Sequence, residues 1–344
     1  MNLPKNNIQL SLVVLVVSAV FAGQLVGQTV STPIVGFQKS TLPVGSSALG
    51  FPLLNTDIIK TTAASISGSS LSLNGETNVG SRLSSSEPYY IEVYSGTLKG
   101  DRFDVDTAAT ISAANGTVVL NTSSANNSYS VASISNQLNG ASVSLRQHIT
   151  VEKVQSYSSS PLTGNNTASS ADQLQIFNSS LGSYQSYYLR SNGTEWRLVG
   201  SPTVANKVIV PPGTGVFIRK ATTAGELVAT GTVRNNDFAR PYVSGNQLLA
   251  NPFPVAYSPS ALGATTTAGW TGNNTAALAD QIQIYNSITG TYASYFLRGN
   301  GTEWRLVGSP TVVTTTDIIA DNSAYFVKRT ASDPDSVLLN PVTP

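Results

Sequence analysis

The chain has 344 residues, a formal net charge of +1, 11% charged residues and no cysteine. Ordinary soluble proteins carry about 25% charged residues, so Ser, Thr, Asn, Gln and Gly must make up much of this surface. That excludes the basic face nucleic acid needs, a polybasic membrane patch, and disulfide or thiolate chemistry.

The first element is a targeting segment. Lys5 gives a weakly positive start, and Leu10 to Gly23 is an almost unbroken apolar run. It is short for a bilayer span but suits a secretory h-region. Small residues at Val20 and Ala22 place cleavage after Ala22, so residues 1–22 are expected to be a signal peptide. No cysteine follows to carry a lipid anchor. No second apolar stretch of spanning length follows, so no membrane span is expected after signal removal. The expected location is secreted, extracellular or at the cell surface, with the periplasm as the other compartment.

A duplication organises the rest. Thr163–Val204 aligns without gaps on Thr271–Val312; of 42 positions 10 differ and 32 are identical. Chance does not produce that. A weaker match, Gly45–Leu53 against Gly245–Phe253, lies ahead of each copy. Pro52 and Leu174 are 122 positions apart, whereas Pro252 and Ile282 are 30 apart. Copy one is therefore read as split: a β module at 23–63 plus 156–236, an inserted small β domain at 64–155, and copy two at 237–344. The insert has its own apolar runs at Tyr89–Tyr94, Arg102–Asp106, Thr117–Leu120 and Ala141–Arg146, punctuated by Gly96, Gly100, Asn115-Gly116 and Asn139-Gly140.

Each copy alternates polar and apolar residues with a period of two. Gln173–Phe177 and Gln281–Tyr285 read as strands, followed by Tyr184–Arg190 and Tyr292–Arg298. Asn192-Gly193 and Asn300-Gly301 signal type I′ hairpins, and Glu195–Val199 and Glu303–Val307 form third strands. Pro211-Pro212-Gly213 leads into Val216–Lys220. No long amphipathic helix is expected; Ala168–Asp172 and Ser258–Gly263 could each make one turn. The fold class expected is all-β: two homologous antiparallel β-sandwich or barrel modules, the first interrupted by a small β-barrel insert.

The chemistry-bearing residues are few. His148 is the only histidine. A triad base needs a positioned nucleophile and an orienting carboxylate, and no Gly-x-Ser-x-Gly elbow is present, so a structural role is expected. Asp101, Asp104 and Asp106 form one acidic cluster, in which Asp104 and Asp106 share a strand face. Two carboxylates could contribute to a Ca²⁺ site, which needs six or more oxygens, but a solvated strand face is the simpler expectation. Gly213-Thr214-Gly215 is too short for a phosphate loop. No catalytic residue, cofactor or metal is assigned.

The most distinctive side chains are Glu195-Trp196-Arg197 and Glu303-Trp304-Arg305. Alternation puts Trp196 and Leu198 on one face, with Glu195, Arg197 and Val199 on the other. The expected reading is a core Trp with Glu and Arg paired across strands. The sharper reading is an exposed aromatic platform for sugar rings, built from Trp196, Trp304, Tyr188 and Phe296 with Tyr187 and Tyr295 beside them and Arg197 and Arg305 as polar contacts. Two such sites in tandem would raise avidity.

Gly-x-x-Leu-x-x-x-Pro at Gly45 and Gly245, Ala-Asp-Gln-Leu/Ile-Gln-Ile at 171–176 and 279–284, Trp-Arg-Leu-Val-Gly at 196–200 and 304–308, and Pro-Pro-Gly-x-Gly-x-Phe at 211–217 occur together. With these motifs the chain resembles a family of uncharacterised exported bacterial β-rich proteins with duplicated modules. The family also carries an insert like Tyr-Ser-Gly-x-x-x-Gly-x-x-Phe-Asp at 94–104. Copy two departs from the pattern at Ala320–Ala324, where copy one has its Pro-Gly turn. The resemblance implies a secreted bacterial β-protein and brings no catalytic residues. The function expected is a non-enzymatic extracellular or cell-surface protein with a structural or adhesive role, partnered by neutral polysaccharide or other surface proteins. The alternatives are a glycan-binding protein using the aromatic faces, and a polysaccharide-active hydrolase.

Overall fold

The computed structural model describes residues 34–114, 116–331 and 337–340; the expected signal peptide lies outside them. The described chain is all-β, and every paired strand runs antiparallel. Strands β1 (Val35–Leu42) and β2 (Gly45–Leu49) come first. Then β3 (Ile59–Ser67), β4 (Ser70–Leu73), β5 (Tyr89–Val93), β6 (Arg102–Asp104), β7 (Thr117–Val119) and β8 (Ser142–Gln147) make one sheet in the order β6-β5-β8-β3-β4-β7. Its outer strands meet. Val105 bridges Leu120, and the Asp106 N–H donates to the Val119 carbonyl at 2.8 Å. The sheet thus closes on itself at one end, around a core drawn from Ile59 to Leu145. Gly96, Gly100, Gly116 and Gly140, the expected turn residues, all take positive φ. Periodicity did not point to the helices α1 (Thr107–Ser112) and α2 (Val131–Ile134). At six and four residues they are too short to show a 3.6-residue pattern, although Asp106 caps α1 by accepting from the Ala109 N–H at 2.9 Å.

The chain leaves this sheet at Gln147. After β9 (Ile149–Thr150), helix α3 (Val151–Ser156) packs Val151 and Val154 into the neighbouring core, with Trp196. The sheet therefore begins before the expected limit of 64, and the expected limit of 155 falls inside a helix of that other core. The neighbouring unit contains β10 (Gln173–Asn178), β11 (Ser183–Leu189), β12 (Trp196–Leu198), β13 (Ile209–Val210), β14 (Val216–Lys220) and β15 (Gly225–Thr232). Its five-stranded sheet has the order β12-β11-β10-β14-β2, and β1 pairs with β15. The last unit contains β16 (Phe238–Arg240), β17 (Gly245–Ala250), β18 (Gln281–Asn286), β19 (Thr291–Leu297), β20 (Trp304–Leu306), β21 (Ala324–Arg329) and β22 (Val337–Leu339). Its order, β20-β19-β18-β21-β17 with β16 on β22, matches the first strand for strand. The registers match as well: Leu189 faces Trp196 as Leu297 faces Trp304.

The Asn-Gly hairpins are wider than a two-residue type I′ turn. Six residues separate β11 from β12, and the Gly193 N–H donates to the Arg190 carbonyl. The Asn192 side chain accepts from the Thr194 and Glu195 N–H groups at 3.1 and 3.0 Å. Asn300 does the same for Thr302 and Glu303. The asparagine side chain supplies the turn's acceptor, and Gly193 and Gly301 supply the left-handed backbone.

Each module is tied by one buried carboxylate. Asp172 accepts from the Thr163 N–H at 2.8 Å and the Ala221 N–H at 2.7 Å, and pairs with Lys220. Asp280 accepts from the Thr271 N–H at 2.8 Å and the Thr330 N–H at 2.7 Å, and pairs with Arg329 at 2.8 Å. Both carboxylates are fully buried. Each joins the loop before a central strand to the end of the next strand in the sheet.

The two five-stranded sheets meet across an aromatic seam. Phe177, Tyr184 and Phe217 from one module interleave with Tyr285, Tyr292 and Phe326 from the other. The Phe217–Tyr285 and Phe177–Phe326 rings pack edge-on at 5.1 and 5.4 Å. The backbone contacts are reciprocal: Leu49 bridges Ser323, and the matching Leu249 bridges Thr214. Positions near the centre face their own counterparts. A Cβ on Gly50 would come within 2.5 Å of the Ala250 Cβ, and one on Gly215 within 2.5 Å of the Ala324 Cβ.

Two outcomes follow for stability. Gly50→Ala forces two methyl carbons together and should cost about 1–3 kcal/mol; adding Ala250→Gly should recover most of it, as read from denaturant midpoints of the single and double variants. Asp280→Ala strands Arg329 in the core and should cost about 3–5 kcal/mol; a loss under about 1 kcal/mol in the same measurement would refute the role given to that carboxylate.

Candidate functional site

The aromatic platform is corrected first. Trp196 and Trp304 are 2% and 0% exposed. The Trp196 indole N–H donates to Gln155 Oε1 at 2.6 Å, and that of Trp304 to the Ala264 carbonyl at 2.7 Å. Both rings fill module cores and present no face to a sugar. Tyr188 and Phe296 are also buried. Period-two alternation separated the two faces of β12 and β20, but the sheet edge is covered. The segments at 203–205 and 311–313 lie against these strands, through the Arg197–Val204 and Arg305–Val312 bridges. Arg197 and Arg305 are half-buried and pair with Glu195 and Glu303. These partners lie two residues back in the chain, just ahead of β12 and β20, rather than on a neighbouring strand.

The acidic cluster does not present a solvated face. Asp106 caps α1, while Asp101 and Asp104 are buried. Asp104 bonds His148 Nε2 at 2.7 Å and accepts from Ser124 Oγ at 2.6 Å and Asn126 Nδ2 at 2.9 Å. The three carboxylates therefore serve different partners, and no group of three metal-ligating side chains converges among the described residues. Burial would raise the Asp104 carboxyl, but the hydrogen bond and charge of His148, with Ser124 and Asn126, outweigh it and hold the group below its ordinary value. Asp104 is thus a carboxylate, and His148 Nε2 must donate to it. His148 is 1% exposed, and Tyr90 packs on its ring at 4.6 Å between centroids. Its Nδ1 is buried without a hydrogen-bond partner among the described residues.

Beside this pair the barrel, the first module and the second module meet. Arg102, on β6, donates to the Gly100 carbonyl and, across 137 positions of chain, to the Ala239 carbonyl, both at 2.9 Å. Arg240, on β16, donates to the Tyr325 hydroxyl at 2.6 Å and to the carbonyls of Gly213 and Ala250. The Phe238 ring lies under three guanidiniums, with Arg102 at 3.9 Å, Arg234 at 4.8 Å and Arg240 at 5.3 Å. Gly213 is obligatory here, since a Cβ would meet the Phe238 ring at 2.3 Å. Burial pulls the Arg102 guanidinium down to about 10, against the pull of Tyr90 and Asp101, so it stays charged at neutral pH. Arg234 and Arg146 share the buried Glu92, and Arg146 also meets Asp57 at 2.6 Å. Arg102 and Arg240 have no ion-paired carboxylate among the described residues.

These groups border a cleft of about 290 Å³, lined by Arg102, Asp104, Asn126, His148, Phe238 and Arg240. Its walls come from three regions distant in sequence. The single histidine and the acidic cluster were singled out from sequence, but their pairing was not. Arg102 and Arg240 carried no signal, because isolated arginines on short strands resemble any surface cation until the modules meet.

Asp101 gives a pH test. Burial raises its carboxyl to about 6, against the hydrogen bond of Ser128 and the charge of Arg102. A carboxyl raised on folding costs stability once ionised. The cost is absent below the ordinary value near 4, grows as pH rises, and is complete above about 6. Asp101→Asn should therefore raise the melting temperature relative to the parent at pH 7 and converge with it near pH 4, read by thermal unfolding across that range.

Comparison with known proteins finds no family model, no curated protein and no solved structure that matches this chain.

Proposed function

We propose that the chain is an exported, non-enzymatic extracellular or cell-surface protein whose two modules form a bivalent structural or adhesive unit. One observation carries this reading. Both modules display the same apolar residues on the same outer hairpin, at nearly the same exposure: Val199 and Val307 at 42% and 43%, Val204 and Val312 at 59% and 50%. Exposed valines scattered singly are ordinary. The same pair shown twice, on the hairpins that follow β12 and β20 in sheets locked by a common seam, is a two-point contact surface. Two rigidly spaced contacts bind an extended or repetitive partner with avidity beyond either alone. The low charge density favours close approach to a neutral partner, such as a neutral polysaccharide or another hydroxyl-rich protein surface. Among the described residues no helix is long and apolar enough to cross a membrane.

The test is co-sedimentation of purified protein with a panel of insoluble neutral polysaccharides and with isolated cell envelopes. Val199→Asp alone should weaken retention by about tenfold, and Val199→Asp with Val307→Asp should remove it, as expected when both contacts of a bivalent binder fail. A double variant no worse than either single, or release of soluble product from any polysaccharide of the panel, would sink the reading.

A further inference from the structure

The cleft at the three-way junction has chemistry that the hairpin surface does not use. Two cations line it, Arg102 and Arg240, and both are buried. Buried charges are normally paired, because desolvation penalises them strongly. Among the described residues these two are met by carbonyl oxygens, a tyrosine hydroxyl and the Phe238 ring, and by no contacting carboxylate. Of the roughly five N–H groups on a guanidinium, Arg102 commits two to protein acceptors and Arg240 three. Both keep donors. The one carboxylate on the cleft wall, Asp104, is already held by His148, Ser124 and Asn126. The balance of the wall is therefore positive.

His148 adds a second, different feature. Its Nε2 donates to Asp104, and its Nδ1 is buried and unpartnered among the described residues. A buried polar atom without a partner costs stability unless something supplies the missing bond. A hydroxyl, which both donates and accepts, suits that ring nitrogen, whereas the guanidiniums call for an oxyanion. One small molecule carrying both groups would satisfy the wall. The volume, about 290 Å³, suits a single ring rather than a chain.

We propose that this cleft binds a small hydroxylated organic acid, of the size and chemistry of a sugar acid, with Arg102 and Arg240 holding the carboxylate and Nδ1 of His148 sharing a hydrogen bond with a hydroxyl. The site uses none of the outer-hairpin residues, so it stands or falls apart from the adhesive reading.

Isothermal titration calorimetry of the whole protein with glucuronate and galacturonate tests this. Glucose and the methyl ester of glucuronate remove the charge, and sulfate removes the hydroxyls. The expected result is saturable 1:1 binding of a sugar acid, with the neutral sugars and sulfate at least about tenfold weaker. Because Arg240 and His148 also hold the fold, the probing substitutions sit on the rim. Ser179 lines the cleft and is exposed. Ser179→Glu should weaken sugar-acid binding about threefold and Ser179→Lys should strengthen it similarly at low salt, both effects fading as salt is raised. No saturable binding of either sugar acid, glucose or sulfate binding as tightly, or affinity indifferent to charge at position 179 would each overturn the proposal.

Discussion

The seam between the two five-stranded sheets is the constraint on which the other features rest. Its symmetry makes positions near its centre face their own counterparts: residue 50 meets residue 250, and residue 215 meets residue 324. In two identical modules each such pair would be a residue against itself. Two alanines would collide there, and two glycines would leave a gap. The chain resolves this with one of each, glycine in the first module and alanine in the second. Protein interiors are packed densely enough that a single methyl decides such a contact. A glycine facing an alanine at these positions closes the seam where two like residues would not, so the pairing specifies first module with second.

The cleft is a consequence of the same geometry. The seam fixes the loop at Pro211–Gly213 against Ala250 and Phe238, through the bonds from Ala250 N–H to the Gly213 carbonyl and from Arg240 to the same oxygen. The barrel then docks over this corner by a backbone bond from Ala239 to Gly100 and by Arg102 reaching the Ala239 carbonyl. Polar groups from all three units become buried together, and the guanidiniums around Phe238 are what this junction concentrates. The second module has Ala320–Ala324 where the first has Pro-Pro-Gly, and its strands follow without an inserted barrel, so among the described residues it does not repeat this corner.

The strand pattern was legible in the sequence because it depends on neighbours. Gln173–Phe177 alternates, Gly182 turns, and the hairpin to Tyr184–Leu189 closes with the expected partners. The core position of Trp196, too, followed from period two together with the size of the indole. The hairpin width was misjudged: Asn192 bonds the backbone ahead of it, and that depends on its side-chain rotamer rather than on the dipeptide. The junction could not be read in this way. His148 and Asp104 are 44 positions apart, one between β8 and β9 and the other on β6, and Arg102 meets Ala239 across two unit boundaries. Burial there is decided by docking of units, which no local period encodes. Asp101 and Asp104, which alternation alone would leave at the surface, are buried against partners far along the chain, Ser128 for Asp101 and Ser124, Asn126 and His148 for Asp104.

Where the twin modules differ, the differences come in physically coupled sets. The buried carboxylates Asp172 and Asp280 hold different cations, Lys220 and Arg329. Around Arg329 stand Trp270 at 4.5 Å and Tyr242 at 5.4 Å, and Trp270 packs edge-on against Trp304 at 5.5 Å. The counterparts of Tyr242 and Trp270 in the first module are Leu42 and Leu162, both buried in its core beside Trp196. A guanidinium is flat, weakly hydrated and suited to lying on aromatic faces, while an ammonium is a compact point charge. Arginine therefore fits the aromatic box of the second module, where it also reaches the Gly269 carbonyl at 2.7 Å. In the first module, where leucines stand at the positions of those rings, the compact ammonium of Lys220 needs only its contact to Asp172. Exchanging the cations alone would place a broad plane among leucines, and a point charge beneath rings shaped for a plane. The carboxylate is the fixed member of each site, and the cation and its surrounding side chains vary together around it.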